Sequence, residues 1–259
     1  MSTRPLLPAC LVLLCLSACL VLAGKVDRHQ SLESVARLHG DVFWDLNRAS
    51  AYLAPVSRRD EIALGDRLAA GLTAIGTPDP KAAQRAAAAG LRLAPHTLRG
   101  LPYRFHAVDL PGLNAFALPG GHVYITREML AFIQNDDELA VVLGHEMAHI
   151  DLRHCLERYR YGAAMKKIGA GPAGNLVDSV RSAFAVTYSQ AEETDADTRG
   201  ALLAAQAGFN PRAGIGIFAR MSQSAAPYSG GFLHPYLETH PPIADRQRRV
   251  EEALARQGK

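Results

Sequence analysis

The chain has 259 residues, 48% hydrophobic and 20% charged, the balance of a globular protein with a real core. Its formal net charge is only +3, and both signs are mixed along it, without the basic run that a nucleic-acid-binding surface needs. Of its four cysteines, Cys10, Cys15 and Cys19 lie near the N-terminus and only Cys155 in the body, which excludes an internal disulfide framework there.

The first segment is set apart. No residue from Pro5 to Ala23 is charged, Arg4 precedes the run and Lys25 follows it. A basic start before an apolar stretch reads as a secretory signal. Leu16-Ser17-Ala18-Cys19 resembles a bacterial lipobox, whose cysteine is lipidated and becomes the first residue of the mature chain. Val21-Leu22-Ala23 offers a conventional signal-peptidase site instead, and the run is long enough to stay as an uncleaved anchor. The lipobox reading fits best. It predicts a signal peptide over 1–18, an N-terminal tether and helix over 19–57, and the main domain over 58–259. It also predicts a periplasmic protein held to the membrane by a lipid on Cys19. Leu20 follows that cysteine, not the aspartate associated with inner-membrane retention, so the outer membrane is expected.

Ser31 to Leu53 carries Leu32, Val35, Leu38, Val42 and Leu46 near helical spacings, with Gly40 weakening the pattern and Pro55 ending it. Asp60 to Ile75 predicts a second helix, with Leu64, Leu68, Leu72 and Ile75 along one side. Thr77-Pro78-Asp79-Pro80 is a break. The alanine-rich Lys81 to Leu93 is either a helix or a mobile surface segment. Tyr103 to Asp109 alternates as a strand does, Asn114 to Leu118 is a second short strand, Pro119-Gly120-Gly121 a turn, and His122 to Thr126 a third strand. Asn135, with Glu138 three residues on, caps a helix whose Leu139, Val141, Val142 and Leu143 require deep burial. Ser189 with Glu192 repeats the pattern and opens a helix that runs through Ala207 and stops at Gly208. Asn210-Pro211 starts another. Ala225 to Thr239 holds Pro227, Gly230, Gly231 and Pro235 and reads as a loop, and a charged helix from about Pro242 closes the chain.

The chemistry is concentrated in His145-Glu146-Met147-Ala148-His149. Two imidazoles four apart on a helix lie about 40° apart in projection and can share one zinc ion. A glutamate between them is placed to take a proton from water. His154, nine residues beyond His145, falls about 180° round a continuous helix and cannot reach the same ion, so it reads as a surface or second-layer residue. A catalytic zinc needs a third protein ligand. The best segment is Ser189 to Asp197, with four carboxylates at a helix start. Glu193 and Asp197 share a face, so one can ligate while the other accepts a hydrogen bond from a ligand histidine.

Leu143-Gly144-His145-Glu146-Met147-Ala148-His149, then Glu193-Thr194-Asp195-Ala196-Asp197, then Thr239-His240-Pro241-Pro242 with Arg246, stand in this order. Together they resemble the zinc endopeptidase family that includes HtpX and the CAAX prenyl endopeptidases, in its small periplasmic branch with LoiP and BepA. Asn114 to Gly121 resembles the family's segment before its substrate-binding edge strand. The resemblance implies an α+β, mostly α, zincin-like metallopeptidase domain with an HExxH helix and a small sheet. It implies one Zn2+ held by His145, His149 and Glu193, with Asp197 behind them. It implies Glu146 as catalytic base, His240 near the metal as a fourth ligand or oxyanion stabiliser, and Arg246 beside it. It implies that the strand containing His122, Val123 and Tyr124, with Gly121 before it, receives unfolded or misfolded substrate by β-augmentation. Asp195, Gln190 and Glu128 depart from the family's usual glutamate, arginine and glycine.

The expected function is zinc-dependent endopeptidase action in the bacterial envelope, directed at misfolded envelope or outer-membrane proteins and linked to an envelope-assembly partner. The alternative is a chaperone-like or latent module that holds unfolded outer-membrane proteins without cutting them. A pure binder has no need of Glu146. A structural zinc site favours closed, cysteine-rich coordination, and the body has only Cys155.

Overall fold

The computed structural model describes residues 56–72, 77–167, 188–223 and 246–256. The chain divides into two units, Met1–Leu53 and Ala54–Lys259, and every described residue lies in the second. The apolar start with Cys19, the expected helix from Ser31 to Leu53 and the expected loop from Ala225 to Thr239 lie outside the described residues.

Eight α-helices and four strands, with short 3-10 turns at Ala94–His96 and Pro119–Gly121, make up the described part: α1 (Arg58–Leu72), β1 (Thr77–Pro78), α2 (Pro80–Leu93), β2 (Arg104–Asp109), β3 (Ala115–Leu118), β4 (His122–Thr126), α3 (Arg127–Phe132), α4 (Asp136–Asp151), α5 (His154–Lys167), α6 (Gln190–Gln206), α7 (Ala213–Gln223) and α8 (Arg246–Arg256). The architecture is α+β and mostly helical, with one small mixed sheet. Among the described residues no helix is long and apolar enough to cross a membrane.

The alanine-rich segment is a helix and belongs to the core. Asp79 caps it by accepting a hydrogen bond from the Ala82 amide at 3.0 Å, and Pro80 supplies the preset first turn. Ala86, Ala89 and Leu93 are then buried, because small side chains let α2 lie close to β2.

The sheet order is β1-β2-β4-β3. β2 and β4 run parallel, with Arg104 opposite His122 and His106 opposite Tyr124. β3 and β4 are antiparallel, joined through Pro119–Gly121, with Ala115 opposite Ile125 and Leu118 opposite His122. This corrects the expected placement of the edge. β4 has a partner on both sides, so the backbone around Gly121, His122, Val123 and Tyr124 is not open to an added strand. The physical reason is the route of the chain. β2 leads to β3, the tight turn reverses it, and the returning strand inserts between the two. Among the described residues, β3 is the outer strand on that side.

Side chains alternate across the sheet. Phe105, Ala107, Ala115, Ala117, Val123 and Ile125 join the main core with α2 and α4. Val108, Phe116, Leu118 and Tyr124 form a second core with Leu68 and Leu72 of α1 on the other face. Helix α4 therefore lies inside the protein, buried without a break from Glu138 to Asp151.

Candidate metal centre

Helix α4 starts where its sequence says it should. Asn135 Oδ1 accepts the Glu138 amide at 2.9 Å, and Asp136, Asp137 and Glu138 place negative charge on the positive end of the helix. Glu138 does not complete the expected capping box at Asn135. Its carboxylate accepts the Gln134 amide instead and forms a two-pronged pair with Arg220 of α7, at 2.9 and 2.7 Å. Helix α6 starts with the full capping box, Ser189 and Glu192 each accepting from the other's backbone.

The two helices meet at glycines. A Cβ on Gly144 would come within 2.9 Å of the Gly200 carbonyl oxygen, and one on Gly200 within 2.7 Å of the His145 amide nitrogen. Only two glycines permit so close an approach. Gly200 shares its helix face with Asp197 and Glu193, three and seven residues back, so the crossing carries both carboxylates to the histidines of α4.

The result is one compact buried cluster. His145, His149 and Glu193 each offer a ligand atom, and these lie within 4.8 Å of one another. His145 Nε2 is 3.0 Å from His149 Nε2, 3.6 Å from Glu193 Oε2, and His149 Nε2 is 3.5 Å from Glu193 Oε1. Tetrahedral zinc with bonds of about 2.0–2.1 Å separates its ligand atoms by about 3.3–3.4 Å, so this donor set and spacing fit the ion. His145 is 1% exposed, and Glu146, His149 and Glu193 are 0% exposed. Charges enclosed in this way act through a low dielectric.

Behind the cluster, Asp197 Oδ1 lies 3.0 Å from His145 Nδ1. His154 stands behind the second histidine of the cluster, its Nδ1 3.0 Å from His149 Nδ1. It is buried, not on the surface, and the continuous-helix geometry does not apply to it. Helix α4 ends at Asp151, Arg153 takes the left-handed conformation at φ 69°, and His154 begins a new helix. The Tyr188 ring stacks on His149 at 3.8 Å and 14°, the Arg158 guanidinium covers Tyr188 at 4.5 Å, and Cys155 Sγ is 3.4 Å from the Tyr188 hydroxyl. Burial pushes the Cys155 thiol up to about 12 and the Tyr188 hydroxyl well above its ordinary value, so both are neutral packing groups. His240 lies outside the described residues, and Arg246 is the first residue of α8, its side chain outside them too.

Sequence reasoning missed the ionic hub at the end of α4. The buried Asp151 carboxylate accepts the Leu98 and Arg99 amides at 2.9 and 3.0 Å and pairs with Arg199 of α6 at 3.1 Å. Arg199 also donates to the His96 carbonyl, and Arg99 donates to the Ile150 carbonyl and pairs with Glu61 of α1. The only signal was Asp151 inside an apolar helix, and its partners lie far away in sequence.

The sequence is similar to those of known proteases. The chain is 34% identical over 161 residues to the mitochondrial metalloendopeptidase OMA1 of Schizosaccharomyces pombe, covering 60% of this chain and 47% of that one. It is 27% identical over 171 residues to the metalloprotease YcaL of Escherichia coli, covering 62% and 65%. It is 26% identical over 199 residues to the beta-barrel assembly-enhancing protease of Escherichia coli, covering 67% and 40%. The chain thus spans less than half the length of the OMA1 relatives from fission yeast, Arabidopsis thaliana and Saccharomyces cerevisiae. Residues 86–254, from the middle of α2 into α8, match Peptidase family M48, and with the histidines and glutamates of α4 and α6 inside that span, the chain belongs to this family.

Proposed function

We propose that this chain is a zinc-dependent endopeptidase of the bacterial cell envelope that degrades misfolded envelope or outer-membrane proteins. The observation that carries the reading is the buried His145/His149/Glu193 cluster with Glu146 between its two histidines. Support for the envelope comes from the apolar start with its Leu16–Cys19 motif, and from likeness to two Escherichia coli proteases, one named for enhancing β-barrel assembly. A lipid on Cys19 holds the protein to the outer membrane from the periplasmic side.

When bound, zinc supplies Lewis acidity to a water molecule and to the scissile carbonyl. His145 and His149 offer it Nε2, and Glu193 its carboxylate. Asp197 accepts the Nδ1–H of His145 and keeps that ring turned toward the cluster. Glu146 takes a proton from the attacking water and delivers it to the leaving amine nitrogen. Complete burial of Glu146 keeps bulk water from competing for that proton. Strand β3, packed beside α4, is the template along which an extended substrate aligns its backbone.

The test is cleavage of unfolded casein by the zinc-loaded chain beside Glu146→Gln. The variant keeps its zinc and loses about 10²–10⁴-fold in turnover. Equal cleavage by both removes Glu146 from the mechanism. Zinc bound by the wild type without any cleavage turns the reading toward a binding module.

A further inference from the structure

The two histidines of the cluster are backed by different chemistry. His145 has the Asp197 carboxylate behind it, whereas His149 has another imidazole, His154. His154 is 4% exposed, and its ring stands 66° to that of His149 with centroids 5.1 Å apart. Two ring nitrogens 3.0 Å apart share one proton, and the far side of each ring decides which nitrogen carries it. His149 turns Nε2 into the cluster, toward His145 Nε2 and Glu193. A neutral imidazole that offers the Nε2 lone pair to a cation carries its proton on Nδ1. His149 Nδ1–H therefore donates, His154 Nδ1 accepts, and His154 carries its own proton on Nε2.

We infer that His154 is a positioning residue for the metal: it locks His149 in the Nδ1–H tautomer and aims Nε2 at the ion. The inference rests on the zinc reading of the triad. His154 reaches the cluster through His149, where its Nδ1 is engaged. Tyr188 stacked on the face of His149 leaves the ring edge as the place where orientation is set. The acceptor behind His149 is an imidazole where His145 has a carboxylate, so the aim of the His149 ring rests on this one directional contact. The local chain path makes this possible. The left-handed Arg153 turns the backbone and brings a residue five positions beyond His149 back against it.

The experiment measures zinc affinity of the full chain by competition with a chromophoric chelator. His154→Ala is expected to weaken zinc about 10–100-fold, the usual cost of removing the partner behind a ligand histidine. His154→Asn places Oδ1 where Nδ1 stood and accepts the same proton, so it stays within about threefold of the wild type. Cobalt in place of zinc gives a visible spectrum that is the same for wild type and Asn and altered for Ala. The metal-free melting temperature is expected to be alike in wild type and Asn. Equal weakening by Ala and Asn, tracking a loss of metal-free stability, makes His154 a packing residue and overturns the inference. Wild-type affinity in the Ala variant overturns it alone. A wild-type chain that binds no zinc overturns the triad reading first, and this inference with it.

Discussion

A hydrogen-bonded chain of side chains crosses from α1 onto the sheet face that packs against it. Asp66 Oδ1 is 2.9 Å from His122 Nε2, and His122 Nδ1 is 3.0 Å from His106 Nε2, while the Arg104 guanidinium donates to the same Asp66 oxygen. Burial lowers both imidazoles and favours their neutral forms, so with Asp66 accepting from His122 Nε2–H, His122 Nδ1 accepts from His106. His106 also stacks on Tyr124 at 4.4 Å. Burial first, then His122 and Arg104, push the His106 imidazole from 6.5 down to about 4. The folded state therefore binds fewer protons than the unfolded state between these values, and stability rises with pH there. As pH falls through about 6.5 toward 4, that contribution is progressively lost. Melting of the metal-free protein is expected to drop more steeply over this window in the wild type than in His106→Gln, whose amide nitrogen keeps the donor without titrating. Parallel curves would refute the assignment. None of this network was legible in the sequence, because His106 and His122 meet only through the register of β2 with β4, and Asp66 only through the packing of α1 on that face. His145, Glu146 and His149 were legible, since spacing on a helix fixes their geometry. From the residues alone Glu193 and Asp197 were legible as carboxylates sharing a face, and the family resemblance chose between them. His154 was half-legible: the second-layer reading was open, but a helix break decided it.

At the scale of elements, the site depends on how closely α4 and α6 approach. The atoms that a Cβ on Gly200 would meet are backbone: His145 N, Gly144 C and His145 Cα, all within 2.9 Å. No flexible side-chain end can give way there, so the helices themselves must part. Gly200→Ala is expected to destabilise the protein by about 1–3 kcal/mol through overpacking, and to weaken zinc binding because Glu193 moves with its helix. Gly216→Ala is the control. Its Cβ would meet nothing nearer than Arg220 Nη1 at 3.7 Å, and alanine improves an exposed helix by about 0.5–1 kcal/mol. Chemical denaturation of both variants settles the point, and equal effects would mean that the crossing tolerates a methyl group. Both helix starts were written in their caps, β2 in its alternation, and β3 and β4 as short runs on either side of Pro119-Gly120-Gly121. The order of those strands was not written there. A short strand buried on both faces gives no sign of whether its edges are paired, so β4 could be placed inside the sheet only from its neighbours. The short α3 and the helix α5 also escaped. They lack a strong periodic face of their own, and α5 follows α4 after only two residues.

For the whole molecule, the buried cluster joins two helices that are distant in sequence, and this couples metal binding to folding. His145 and His149 belong to α4, Glu193 to α6, and the unfolded chain does not hold the three together. A ligand that binds only the folded state at 1,000 times its dissociation constant adds about 4 kcal/mol of stability. For a domain of this size each kcal/mol moves the melting temperature by about 2–4 °C. Zinc is therefore expected to raise the melting temperature by roughly 10 °C over the chelated protein, by that arithmetic. Glu193→Ala removes a ligand and should abolish most of the rise. Glu146→Gln leaves all three proposed ligands and should keep it, although under the proposed mechanism the same change stops turnover. The contrast separates holding the metal from using it, two roles that the proposed mechanism gives to adjoining residues of one helix. Calorimetry of the three proteins with and without zinc reads it directly. A rise that survives Glu193→Ala would place the third ligand elsewhere, and a rise lost in Glu146→Gln would make Glu146 a holder of the ion instead of the base.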